Sequence, residues 1–142
     1  QEGLSFDPVQ LPTVWYNIVT DFMEVLVGLP YKDSGLSPEE GFDCWGLTRW
    51  VVKQGLGVSL PEKPMGWRRY GEVLPFRLEA VQRYDILFLV DDAEITTHIG
   101  VANDGANFTH ANVHCQAVVC EPIRKYKSAI KAIGRINLAP RN

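Results

Sequence analysis

The chain predicts an α+β domain, with helices gathered on one side of an antiparallel sheet, and three observations carry that reading. Apolar residues in the first 55 positions recur at helical spacing. From about residue 85 onward, short runs alternate apolar and polar side chains, with turn residues between them. Helices first and strands afterwards is the order of a segregated α+β fold rather than of a parallel βαβ sheet. At 142 residues the chain fits one domain, long enough to bury a core without metal or disulfide staples.

Residues 1–12 carry Gly3, Pro8 and Pro12 and read as an extended lead-in or linker end, leaving 13–142 as the domain. The chain opens on Gln1 rather than Met, which leaves room for a leader or a preceding domain. Val14, Trp15, Ile18, Val19, Phe22, Met23 and Leu26 form a helical stripe over 13–27. A polar loop with Gly35, Pro38 and Gly41 follows. Asp43 is a good N-cap for a second helix, which stops at Gly55 or Gly57. Leu47, Trp50 and Val51 lie on one of its sides, Trp45 and Val52 on others, so burial nearly all round is expected. Residues 61–75 read as irregular, with one helical turn near Trp67. Strands are predicted near 85–90, 97–103, 106–112, 116–122 and 132–137, with a short helix over 124–128. Asp91, Asp92 and Glu94 mark an acidic connection between the first two strands.

A formal net charge of −3 gives no footprint for nucleic acid or an anionic membrane surface. Arg68-Arg69 and Arg124-Lys125 are isolated pairs on solvated surface. No apolar run reaches membrane-spanning length, and the N-terminus has no signal-peptide pattern. Three cysteines are an odd number for a disulfide framework. Cys115 and Cys120, read as lying on one strand, would sit on opposite faces roughly 16 Å apart. A zinc site from His110, His114, Cys115 and Cys120 lacks a known ligand spacing, and no cofactor is implied.

The chemistry concentrates elsewhere. Cys44 falls in the first turn of the second helix, where the macrodipole favours thiolate, the nucleophilic form. A free cysteine at a helix start is ordinarily a small buried hydrophobe. His98, in Thr97-His98-Ile99-Gly100-Val101, and His110, in Thr109-His110-Ala111, change that balance, because they sit on consecutive strands. A three-residue loop at Asn103-Asp104-Gly105 would pair His98 directly with His110, with Gly105 at positive φ. Directly opposed side chains have Cβ atoms about 4.5 to 5.5 Å apart, within reach of a ring-to-ring hydrogen bond.

At these residues the chain resembles the NlpC-type cell-wall cysteine peptidases, a papain-like family. The carriers are Asp43-Cys44, His98-Ile99-Gly100 and His110-Ala111, with Gly28-Leu29-Pro30-Tyr31 upstream, and Leu60-Pro61 and Asp85-Ile86-Leu87-Phe88 between. Together they cover roughly residues 26 to 123 in order. The resemblance implies a papain-like fold, with N-terminal helices packed on a central antiparallel sheet. It implies Cys44, His98 and His110 as the catalytic residues, and Tyr31 and Asp43 as substrate contacts; Trp45 either flanks the substrate cleft, the reading preferred here, or packs in the core. It also implies a peptidoglycan stem peptide as substrate, cut between D-glutamate and diaminopimelate or lysine.

Trp45 stands where the family usually has serine. The Asp-Cys-Trp-Gly-Leu form looks like a branch found in phage tail and tail-tip proteins. That suggests a virion tail tip acting in the host periplasm or cell wall, with other tail proteins as partners; a secreted or periplasmic bacterial protein is the alternative. Asp33-Ser34 and Arg83-Tyr84 also depart from the family pattern, which leaves the substrate subsites open. A non-hydrolytic assembly module, or an amidase or acyltransferase on the same scaffold, are the rival functions.

Overall fold

The computed structural model describes residues 21–90 and 96–138. A two-stranded ribbon, β1 (Leu36–Ser37) and β2 (Gly41–Phe42), leads into helix α1 (Cys44–Leu56). Six further strands follow: β3 (Gly71–Pro75), β4 (Ile86–Val90), β5 (Thr96–Ala102), β6 (Asn107–Asn112), β7 (Ala117–Pro122) and β8 (Ile130–Ile136). They form one sheet in the order β3-β8-β4-β5-β6-β7, with every pairing antiparallel. This is the predicted α+β class.

Asp43 caps α1 as expected: its Oδ1 accepts the Gly46 N–H at 2.7 Å. The helix runs through Gly55 and ends at Gly57, whose φ of 73° is the left-handed conformation that closes a helix. One face of the sheet packs on α1, with Leu47 and Val51 against Val101, Ala111 and Val118. Trp45 and Val52 extend that layer over Ile86, Ile99 and Ile136. The other face, with Leu87, Leu89, Phe108 and Ile133, is covered by Val81 and by Ile123 of the 3-10 turn Ile123–Tyr126. Inward-facing residues thus alternate along each strand, which is why the second half of the chain was readable as strands.

Several expectations need correction. Of the helix predicted over 13–27, residues 13–20 lie outside the described residues. The remainder is only a 3-10 turn, Glu24–Leu26, with Val27 already extended. Residues 28–31 then run beside the outer strand β7: the N–H of Gly28 bonds the Val118 carbonyl (2.9 Å), that of Val118 the Leu29 carbonyl (2.8 Å), and that of Tyr31 the Gln116 carbonyl (3.0 Å). Pro30 and Gly28, with φ of 96°, prevent the helix from continuing through this strap. β1, β2 and β3 fall where loop was predicted. They are two, two and five residues long and carry too few apolar positions for an alternation to show. Cys115 sits in the turn before β7, not on a strand, and it and Cys120 are free and exposed. The acidic segment Asp91–Glu94 lies outside the described residues.

The β5–β6 register also differs from that of the predicted three-residue loop. Val101 faces Thr109 and Ala102 faces Phe108. Gly105 does not have positive φ. The turn is closed instead by the Asp104 carboxylate, whose Oδ1 accepts the N–H groups of both Ala106 and Asn107 at 2.8 Å. Continued toward the site, this register puts Gly100, not His98, opposite His110. The two histidines share a face but are diagonal neighbours.

Candidate active site

Cys44 is the first residue of α1, where that helix meets β5. It shares a cleft of about 610 Å³ with His98; Trp67, Phe88 and Met65 provide apolar walls, and Arg68 and Lys131 add positive charge. Burial pushes the Cys44 thiol above its ordinary range, as does the Asp43 carboxylate, against the N–H groups of Ile99, Trp45 and Cys44 itself. The expected thiolate is therefore not the resting form, because desolvation outweighs the donors at the helix start. Burial likewise lowers the His98 imidazole to about 4, helped by His110 and His114 and opposed by Glu121. Both groups are held neutral. Cys44 and His98 thus face the same cleft as thiol and imidazole.

Nε2 of His98 lies 2.7 Å from Nδ1 of His110. Diagonal placement across β5 and β6 brings the rings edge to face, with centroids 4.8 Å apart. Gly100 makes this possible: a Cβ there would come within 2.6 Å of the Phe108 ring and 3.1 Å of His110 Cβ. Phe108 stacks on the His110 ring at 4.5 Å and 7°. His110, 2% exposed, is itself lowered by burial, with Glu121 acting in the opposite direction.

Glu121 was not foreseen. Its Oε1 lies 2.8 Å from Nε2 of His110 and accepts the Tyr126 hydroxyl at 2.7 Å, while Oε2 takes the Lys125 ammonium. Burial raises the Glu121 carboxyl, but the donors Lys125, Tyr126 and His110 bring it down to about 2. In sequence it is one acid in a strand of Val118, Val119 and Cys120; only the β6–β7 register, which sets Phe108 opposite Glu121, places it diagonally from His110.

Tyr31 lies close enough to Cys44 for a thiolate there to raise its phenol; burial is the larger cause, and Asp33 and Asp43 add to it. Asp43 uses both carboxylate oxygens on backbone, Oδ1 as the helix cap and Oδ2 accepting the Ser34 N–H at 3.1 Å. Trp45 is misplaced by the sequence reading. It is 6% exposed and packed among Val52, Leu60 and Trp67, and its indole N–H donates to the Pro61 carbonyl at 3.0 Å. It does not line the cleft, because its side chain follows the core side of α1. Among the described residues, no group of three or more His, Cys, Asp or Glu side chains is arranged to hold a metal ion.

Comparison with known proteins agrees with this architecture. The chain is 30% identical over 91 residues to a gamma-DL-glutamyl hydrolase of Bacillus subtilis, a match covering 63% of this chain and 21% of that protein. It is 31% identical over 80 residues to the probable endopeptidase YafL of Escherichia coli, covering 56% and 32%. The chain thus spans about a fifth to a third of the length of these curated relatives. The crystal structure of the NlpC/p60 domain of the peptidoglycan hydrolase SagA superposes with a TM-score of 0.66 at 24% identity, covering 80% of this chain and 92% of that one. The family model described as the NlpC/P60 family matches residues 28–134, from the strap beside β7 to β8, and the chain belongs to that family.

Proposed function

We propose that this domain is a cysteine endopeptidase acting on peptidoglycan stem peptides. The observation that carries the reading is that Cys44 and His98 share one cleft, with the far nitrogen of His98 bonded to a buried second histidine. Cys44 Sγ attacks the scissile carbonyl as its proton passes to Nδ1 of His98, forming a tetrahedral intermediate. The backbone N–H of Cys44, at a helix N-terminus, is placed to receive the developing oxyanion. Collapse expels the amine, which takes the proton from His98 and leaves a thioester. His98 then activates water, and hydrolysis releases the acid and restores the thiol. No step calls for a metal or organic cofactor. His110 keeps the His98 ring turned so that Nδ1 faces the cleft.

The bond we propose joins the side-chain carboxyl of D-glutamate to diaminopimelate or lysine. Support comes from the motif resemblance and from a relative named for glutamyl hydrolysis. Tyr31 binds substrate and Asp43 meets its free amino group in this reading, supported by the motif resemblance and by the nearness of both residues to Cys44. The setting we propose is a phage tail tip that opens the host wall, on the strength of the Asp-Cys-Trp-Gly-Leu segment.

Incubation with purified sacculi, followed by mass spectrometry, tests this reading. New amino termini on diaminopimelate or lysine are expected with the unaltered chain, and none with Cys44→Ala of native circular dichroism. Fragments that persist in the Cys44→Ala protein, or release of intact stem peptides from the sugar, would sink it.

A further inference from the structure

The hydrogen bonds around the two histidines form a directed series. A carboxylate only accepts, so the short contact between Glu121 Oε1 and His110 Nε2 requires the proton to be on Nε2. A neutral imidazole carries one proton, so Nδ1 of His110 is left with its lone pair. The 2.7 Å contact to His98 then requires that His98 donate from its own Nε2. That leaves Nδ1 of His98 bare, as an acceptor for the Cys44 thiol. One charge, on the second strand over from that of His98, decides which nitrogen of each ring is basic.

We propose that Glu121 is a positioning residue that sets the tautomers of both histidines and so makes His98 the base for Cys44, a role that rests on the cysteine peptidase reading given above. The surroundings suit the task. Lys125, four residues on, and the Tyr126 hydroxyl both donate to Glu121, so its carboxylate stays ionised and cannot rotate away. Tyr126 also closes edge-on over His110 at 5.7 Å and over Phe108 at 5.4 Å, which encloses the Glu121–His110 bond. Glu121 is 18% exposed and His110 2%, so water competes little for this contact. With the carboxylate gone, His110 gains by moving its proton to Nδ1, where the His98 ring can accept it. His98 must then carry its proton on Nδ1, the nitrogen that should receive the thiol's.

The chain contains only three histidines, so nitrogen-15 labelling of histidine reads the tautomers directly. Near neutral pH, long-range proton–nitrogen correlation spectra of the whole chain should show His98 and His110 each protonated on Nε2. Exposed His114 is assigned with His114→Gln. In Glu121→Leu both rings should shift toward the Nδ1-protonated form, and kcat should fall about tenfold or more with KM within about twofold. Glu121→Gln, which keeps an acceptor oxygen, should recover most of both. A wild-type spectrum with His110 protonated on Nδ1 overturns the proposal without any variant. So does a folded Glu121→Leu protein that keeps the wild-type tautomers. If the tautomers follow Glu121 but sacculi are left intact, the peptidase reading fails and takes the role of His98 as base with it, while the control of the tautomers by Glu121 stands.

Discussion

Cys44 and His98 are set by what burial does to charge. The helix macrodipole does favour thiolate at Cys44, but the helix start offers less than desolvation takes away. The free protein therefore holds a thiol, and iodoacetamide should modify Cys44 slowly until the pH is well into the alkaline range. The same burial makes the base usable in acid. His98 must be neutral to accept a proton, and its imidazole is lowered from 6.5 to about 4. Activity should thus be present above that value and lost as the pH falls through about 4. A kcat/KM profile whose acid limb lies at the ordinary imidazole value would show a solvated His98 instead. Trp45, next to the nucleophile, makes the opposite point about adjacency. Trp45→Ala should cost about 3–5 kcal/mol in urea unfolding, the range for a buried aromatic. A loss below about 1 kcal/mol, with weakened substrate binding, would return it to the cleft.

At the level of elements, the helix start and the sheet were legible and the register was not. Asp43-Cys44 advertises a cap, and alternating apolar residues advertise β4 to β8, because both signals are local. Pairing register depends on how the turn between strands closes, and here the Asp104 carboxylate closes it where Gly105 was expected to. The error moved His110 from direct to diagonal opposition yet kept it on the right face, since a shift of two preserves the alternation. Glu121 stayed hidden for the same reason: its link to His110 is diagonal across another strand pair. Gly100 is the element that permits the first diagonal. Gly100→Ala should displace the Phe108 and His110 rings, cost about 1–3 kcal/mol, and lower kcat/KM by about tenfold or more. Gly105→Ala, whose nearest contact would be the Val81 carbonyl at 3.4 Å, is the control and should change stability by no more than about 0.5 kcal/mol. Equal effects of the two substitutions would remove the special standing of Gly100.

Across the whole molecule, a helix on one face of a six-stranded sheet was within reach of the sequence, while the strap of residues 28–31 was not. Its bonds to β7 are backbone bonds, and their partners lie some 90 residues away. The strap also touches the other end of the site: the Phe42 N–H donates to the Pro30 carbonyl at 3.1 Å, and the Lys32 N–H to the Phe42 carbonyl at 3.0 Å. Cys44 shares its cleft with His98, which is bonded through His110 to Glu121 on β7, and the strap ties β7 back to Phe42, two residues before Cys44. The proposed nucleophile thus sits on a loop made of one shared cleft, the side chains of His98, His110 and Glu121, and the backbone of the strap. β3, at the opposite rim of the sheet, is not a link in it. That far rim meets the site as cleft wall instead, through Val73 of β3.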